Sequence, residues 1–162
     1  MDGVRVIITG GTFDKRYDEL KGTLTFKDSH LPDIIKQARI TVPVELEINQ
    51  LIDSLDMKDE NRDTIIEACR RSREHKILIT HGTDRMAETA KALGALALPK
   101  TIVITGAMVP YSVSGSDALF NLGAAFSAVQ LLPEGVFISM NGRVFPWDHV
   151  RKNFDKGVFE EI

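Results

Sequence analysis

Several features that would place this chain of 162 residues in a particular class are missing from it. Cys69 is the single cysteine, which excludes an internal disulfide and a metal site made of cysteines alone. No apolar run approaches the length of a membrane span. The formal net charge of −3 provides no basic footprint for nucleic acid or for an anionic membrane. We therefore expect neither nucleic acid nor a membrane as a partner.

Histidines are also few and scattered along the chain. None has the spacing of a metal ligand set, so we expect no metal site. His81 follows an apolar run, and we interpret it as a local hydrogen-bonding residue rather than as a base. No secretory signal precedes the first apolar run, so the expected location is cytoplasmic. The four histidines are His30, His75, His81 and His149.

The chain does contain a regular alternation of apolar runs and amphipathic stretches. The apolar runs predict strands, and the stretches with one apolar side predict helices. The charged tract 14–31 predicts a loop or a weak hairpin. The predicted strands cover residues 4–9, 43–48, 76–80, 101–105 and 135–140, and the predicted helices cover residues 31–38, 58–74, 85–96 and 116–132.

This alternation predicts the fold class. Near-continuous apolar strands that alternate with helices are typical of a parallel sheet covered on both faces. We therefore predict a single α/β domain with a three-layer, mostly parallel flavodoxin- or Rossmann-like sheet and helices on both faces. In such sheets the carboxyl ends of the strands form the ligand crevice. Polar residues directly after a predicted strand are therefore the candidate site residues.

Two of these strand ends carry glycine and threonine. The strand at 76–80 leads into His81-Gly82-Thr83-Asp84 at a predicted helix start. Thr83 and Asp84 can be helix caps there, or they can bind a ligand beside unpaired backbone N–H groups. Gly10-Gly11-Thr12 follows the first strand, and Thr12 can be a nucleophile. This turn can also cradle a phosphate, although it lacks the spacing and the lysine of a Walker loop.

Two motifs resemble the signatures of the bacterial-type L-asparaginase family: Thr9-Gly10-Gly11-Thr12, and His81-Gly82-Thr83-Asp84-x-Met86-x-Glu88-Thr89-Ala90. The resemblance covers most of the chain, and the paired motifs in this order are highly specific. It implies a hydrolase of side-chain amides that releases ammonia from asparagine, and sometimes from glutamine, without a cofactor. Further matching segments are Gly106-Ala107-Met108-x-Pro110, Ser116-Asp117, Phe120-Asn121-Leu122, Met140-Asn141 and Arg151-Lys152.

The resemblance implies a role for each matching residue. Thr12 resembles the nucleophile that forms an acyl-enzyme. Thr83, Asp84 and Lys152 resemble a second catalytic group, in which Lys152 keeps the Thr83 hydroxyl reactive and Asp84 pairs with the substrate α-ammonium. Ser54 matches the residue that binds the substrate α-carboxylate. The pattern of residue types alone does not distinguish Lys152 from the other lysines.

The same resemblance implies further contacts with substrate. Gly11, Gly82 and Ala107 are expected to line the substrate pocket, and the backbone N–H of Thr83 is expected to contribute to an oxyanion hole. Family enzymes carry a tyrosine after the first motif that assists the nucleophile. Tyr17 is the one tyrosine near that position, and we assign it this role.

The resemblance also implies what surrounds the domain. Full-size members of the family continue into a second, smaller α/β domain, which helps to close the site of a neighbouring subunit. We therefore expect residues 1–162 to be an N-terminal asparaginase domain without that second domain. A homo-oligomer, either a dimer or a tetramer, is expected to cover the surface left open. There are two alternatives to an independent enzyme: a non-catalytic or weakly active amino-acid-binding module, and a subunit that needs a partner chain to complete its site.

Overall fold

The computed structural model describes residues 2–162. Helices and strands alternate along much of this range. Most of the predicted elements are confirmed with ends shifted by a few residues. The helices are α1 (Leu31–Gln37), α2 (Asp59–Arg71), α3 (Met86–Gly94) and α4 (Ala118–Leu131). The strands are β1 (Val4–Gly10), β2 (Arg16–Asp18), β3 (Thr23–Thr25), β4 (Val44–Ile52), β5 (Lys76–Thr80), β6 (Thr101–Thr105), β7 (Gly135–Met140), β8 (Arg143–Pro146), β9 (Arg151–Asn153) and β10 (Val158–Glu160).

Six strands form the central sheet, in the order β4-β1-β5-β6-β7-β8. The first five are parallel, and β8 pairs antiparallel with β7. This is the flavodoxin-like order, in which the chain first adds a strand on one side of β1 and then continues on the other. The predicted α/β fold with a mostly parallel sheet is confirmed. The order places the topological switch point between β1 and β5.

Both faces of the sheet are covered, and the alternation of side chains along β5 shows how. Ile77 and Ile79 pack into the cluster that includes Cys69 of α2 and residues of α3. Leu78 points to the opposite cluster, which includes Phe126 of α4 and residues of α1. Successive strand residues face opposite sides of a sheet, so the continuous apolar run serves two helix layers. Burial raises the pKa of the Cys69 thiol to about 12, as expected for a packed core residue.

Three local features differ from the predicted pattern or sharpen it. The tract 14–31 contains the short antiparallel hairpin of β2 and β3. Strand β4 continues to Ile52, four residues beyond the predicted end. The predicted helix at 116–132 is confirmed as α4, but its Leu119 is 46% exposed and does not pack in the core. The helices of residues 2–162 are all too short or too polar to cross a membrane.

Candidate active site

The turns that follow β1 and β5 touch each other at two glycines. Gly11 has φ +73° and ψ −178°, a conformation that is essentially restricted to glycine. A Cβ atom built on Gly11 would lie 2.4 Å from the backbone nitrogen of Gly82 and 2.5 Å from its Cα. The close approach requires glycine and brings the following residues, Thr12 and Thr83, to the same edge of the sheet. This edge lies at the switch point, where open parallel sheets bind ligands.

Thr83, Asp84 and Lys152 are brought together as the resemblance implies. Lys152 Nζ donates a hydrogen bond to Thr83 Oγ1 at 2.8 Å and pairs with Asp84 Oδ1 at 2.6 Å. Its side chain is 9% exposed, whereas that of Asp84 is 27% exposed. The ring of Phe154 lies 5.0 Å from the ammonium nitrogen. The lysine is therefore a nearly buried cation with two defined acceptors, rather than a solvated surface residue.

Strand β9 positions this lysine. It pairs with β10 in a two-stranded hairpin, where Lys152 lies opposite Phe159. Phe159 is buried in the same core cluster that includes residues of α2 and α3. The hairpin is therefore anchored by apolar packing, and it carries Lys152 to the crevice from a position 69 residues after Thr83.

Thr83 and Asp84 do not act as helix caps. Helix α3 begins at Met86, and its N-cap residue Arg85 makes no side-chain capping bond. Thr83 and Asp84 instead make the polar contacts with Lys152. The structure thus decides against the capping interpretation that the sequence left open.

Ser54 belongs to the same site through the turn after β4. The carboxylate of Asp53 accepts a hydrogen bond from Leu55 N–H and starts a single 3₁₀ turn there. Ser54 is 1% exposed, and its Oγ accepts a hydrogen bond from the backbone N–H of Arg85 at 3.3 Å. A Cβ atom on Gly82 would lie 2.6 Å from Ser54 Oγ. Ser54 therefore packs directly against the turn that carries Thr83.

A salt bridge that the sequence did not predict joins the turn after β1 to the turn after β4. Lys15 Nζ lies 2.5 Å from Asp53 Oδ2. Partial burial raises the pKa of Asp53, but the hydrogen bonds from Lys15 and from Leu55 N–H, with the positive charges of Lys15 and Lys152, together hold this pKa below its usual range. Lys15 directly follows the short 3₁₀ turn that contains Thr12. The pair thus links the segments that carry Thr12 and Ser54.

Ala107 follows β6 and is fully buried. The loop around it is held by Asp117, whose carboxylate accepts hydrogen bonds from the N–H groups of Met108 and Val109 at 3.0 Å. Burial opposes ionisation of Asp117, but these bonds and one from Asn141 lower its pKa below the usual range. The turn after β6 is therefore held in place by one ionised carboxylate.

Tyr17 lies apart from this cluster. It pairs with Leu24 in the β2–β3 hairpin, and its side chain is 64% exposed. An open cleft of about 440 Å³ runs along the hairpin and includes Tyr17 and Phe26, but neither Thr12 nor Thr83. A role for Tyr17 stays a prediction.

The part of the chain that the structure describes, residues 2–162, contains no group of three or more His, Cys, Asp or Glu side chains that could hold a metal ion. The polar groups at the crevice are hydroxyls, carboxylates, the ammonium groups of Lys15 and Lys152, and backbone N–H groups. Fold and site together define the class: an α/β protein of flavodoxin-like strand order with two Gly-Thr turns and a nearly buried lysine at the switch point.

Comparison with known proteins assigns this class to a family. The family model described as asparaginase, N-terminal, matches residues 3–158. The chain belongs to the asparaginase family. The solved structure of the thermostable L-asparaginase from Thermococcus kodakarensis superposes with a TM-score of 0.82 at 27% identity, over 99% of this chain and 51% of that one.

Relatives with different functions match at similar levels. A glutamyl-tRNA(Gln) amidotransferase subunit of Archaeoglobus fulgidus is 31% identical over 144 residues, which are 86% of this chain and 34% of that protein. L-asparaginase 1 of Escherichia coli K12 is 28% identical over 159 residues, which are 92% of this chain and 47% of that protein. This chain thus spans a third to a half of the length of these relatives.

Proposed function

We propose that the chain is an asparaginase-like amidohydrolase that uses a threonine nucleophile to convert a side-chain amide into an acid and ammonia. The observation that carries the proposal is the contact of Lys152 with both Thr83 and Asp84. It supplies a positioned hydroxyl and a positioned carboxylate beside the turn of Thr12. Amide hydrolysis needs a nucleophile and donors for the oxyanion that forms.

In the proposed first step, Thr12 Oγ attacks the amide carbon. The carbonyl oxygen becomes negatively charged, and backbone N–H groups of the turns stabilise it. The C–N bond then breaks, and the nitrogen leaves as ammonia with the proton from the threonine hydroxyl. The product on the enzyme is an ester of Thr12.

In the proposed second step, water attacks this ester and releases the acid and the Thr12 hydroxyl. Thr83 Oγ1 accepts a hydrogen bond from Lys152, so its own hydrogen is directed to a different acceptor. That acceptor is the water or the substrate. Lys152 in this way holds the Thr83 hydroxyl in one orientation for proton transfer.

The groups beside the threonines favour an α-amino acid as substrate. Asp84 uses Oδ1 for Lys152, and the other carboxylate oxygen is left to pair with an α-ammonium. Ser54 Oγ accepts from Arg85 N–H, so its hydroxyl hydrogen is free to donate to an α-carboxylate. We therefore propose L-asparagine, or a related ω-amide such as L-glutamine, as substrate.

Ammonia release from a panel of amides tests the proposal. The panel contains L-asparagine, L-glutamine and propionamide, which has neither α-group. We expect turnover of an amino-acid amide by the wild-type chain, little turnover of propionamide, none by Thr12→Ala, and partial turnover by Thr12→Ser. Stabilisation by L-aspartate without turnover of any amide would instead indicate a non-catalytic binding module.

The similarity to an amidotransferase component favours a second candidate. In it, the chain is the amide-hydrolysing part of a larger assembly and needs a partner chain to complete its site. This candidate predicts that the isolated chain binds L-aspartate but releases ammonia slowly until the partner is added. Ammonia release by the isolated chain at a normal enzymatic rate would reject it.

We also propose that the chain forms a homo-oligomer. Exposed apolar side chains on α4, namely Leu119, Phe120 and Leu131, support the proposal because such side chains often lie in interfaces. Sedimentation velocity tests it directly: a species larger than 18.0 kDa is expected, and a monomer at all concentrations would contradict it.

A further inference from the structure

The ring of His81 is fully buried beside the turn that carries Thr83, and the proposed reaction does not use it. Its Nδ1 lies 2.6 Å from the carbonyl oxygen of Gly82. Its Nε2 lies 2.8 Å from the hydroxyl of Thr89, a buried residue of α3. The ring therefore connects the peptide between Gly82 and Thr83 to a helix that packs in the core.

The partners of the ring determine where its hydrogen lies. A carbonyl oxygen can only accept, so Nδ1 must be the donor to Gly82. Burial lowers the pKa of His81 to about 4, although the bond to Gly82 opposes this shift, and the ring is therefore neutral near pH 7. Nε2 is then an acceptor, and the hydroxyl of Thr89 donates to it.

This bond has a geometric consequence for Thr83. The carbonyl of Gly82 and the N–H of Thr83 belong to one planar peptide unit and point in opposite directions. Because the buried ring of His81 bonds this carbonyl, the N–H points away from the ring. This N–H donates to no backbone or side-chain acceptor within residues 2–162.

We propose that His81 is a positioning residue that, with Thr89, fixes the Gly82–Thr83 peptide so that the Thr83 N–H faces the oxyanion of the reaction. The inference rests on the proposed amidohydrolase function. A neutral ring inside the core gives this donor a fixed direction before substrate arrives, which is the property that makes an oxyanion donor effective. His81 itself does not touch the substrate.

Steady-state kinetics of His81→Leu and His81→Asn test the proposal. Leucine removes both ring bonds, whereas the side-chain amide of asparagine reaches roughly the place of Nδ1 and can still donate to Gly82. We expect His81→Leu to lower kcat by about 10- to 100-fold with KM within about twofold, because the donor acts mainly in the transition state. His81→Asn is expected to recover most of this loss.

His75→Asn is the matched control, because His75 is exposed and immediately precedes β5 at its opposite end. It should leave kcat and KM unchanged. Equal kcat in His81→Leu and the wild type would overturn the proposal. So would a rise in KM without a fall in kcat, or an equal loss of kcat in His81→Leu and His81→Asn.

Nitrogen NMR of the wild-type chain supplies a readout that requires neither activity nor a variant. The proposal expects hydrogen on Nδ1 and none on Nε2 of His81 between about pH 5 and 8. Hydrogen on Nε2 alone would overturn it, because Nδ1 could not then donate to Gly82. If the wild type hydrolyses no amide, the proposed function fails, and the NMR result still decides whether His81 holds this peptide.

Discussion

A Cβ atom on Gly11 would lie 2.4 Å from the backbone nitrogen of Gly82, although the two glycines follow different strands of the sheet. This approach fixes the separation of the two turns that carry Thr12 and Thr83. It leaves no room for a side chain at position 11. The proposed nucleophile and the group held by Lys152 are thus positioned by a contact between backbones.

Gly11→Ala should therefore disrupt both the fold and the site. Alanine would have to adopt φ +73° and would collide with backbone atoms that cannot move independently. We expect the free energy of unfolding to fall by more than about 3 kcal/mol, with loss of amide hydrolysis. Urea denaturation of the purified variant measures the first effect.

Gly22→Ala separates the collision from the backbone strain. Gly22 also has a positive φ, +65°, but nothing lies within 4 Å of a Cβ atom built there. This control should lose about 1 kcal/mol, the cost of the backbone conformation alone. Equal losses at positions 11 and 22 would show that the contact with Gly82 is unimportant.

Lys152→Met tests the lysine contact with little change in side-chain length. The variant leaves the Thr83 hydroxyl without the donor that orients it. We expect kcat for amide hydrolysis to fall by about 100-fold or more. The free energy of unfolding should change by only about 1 kcal/mol, because Asp84 is 27% exposed and water can solvate its carboxylate once the lysine is removed.

Arg151→Met is the control for this variant. Arg151 lies next to Lys152 on β9 but is 63% exposed and pairs with Glu160. Its loss should not alter kcat, whereas comparable losses in the two variants would contradict a specific role for Lys152.

The low pKa of His81 should make the free energy of unfolding depend on pH. Its pKa is about 4 in the folded chain and rises to its ordinary value of 6.5 on unfolding, so the unfolded chain binds more protons between these values. The free energy of unfolding should therefore be constant above about pH 6.5 and decrease towards pH 4. The His81 contribution to this loss is about 3 kcal/mol in total.

Other groups titrate in a similar pH range. The test therefore compares the pH dependence of the free energy of unfolding in the wild type with that in His81→Asn. Burial lowers the pKa of His30, which acts in the same direction as His81. Burial raises the pKa of Asp14, which acts in the opposite direction. His30 and Asp14 are both present in His81→Asn. In this variant the free energy of unfolding should therefore fall less steeply towards pH 4, because the contribution of His81 is missing. Parallel curves for wild type and variant would show that His81 is not the cause.

The sequence predicted the fold because its strands are encoded locally. Residues 76–80 and 101–105 are continuous apolar runs, and their predicted ends agree with β5 and β6. Strand β4 was predicted too short because the polar residues Asn49 and Gln50 interrupt its pattern. Their side chains are hydrogen bonded to backbone carbonyls of α2, a contact between segments that no local pattern encodes.

The site was predicted less completely from residue patterns. His81 was correctly interpreted as a hydrogen-bonding residue, whereas Lys152 was identified by resemblance alone. The ion pair between Lys15 and Asp53 was not predicted, because it joins two segments 38 residues apart. Charged residues near a turn are usually solvated, so only the three-dimensional arrangement distinguishes those that pair.

Partitioning of the acyl intermediate to hydroxylamine tests the central claim, that Thr12 forms an ester with the substrate. Hydroxylamine attacks such an ester more readily than water does. The products are a hydroxamate and the regenerated hydroxyl of Thr12. With L-asparagine, the wild type should form aspartyl hydroxamate at the expense of aspartate as hydroxylamine is increased, and Thr12→Ala should form neither product. Aspartate release that is unaffected by hydroxylamine, or that persists in Thr12→Ala, would contradict a threonine nucleophile.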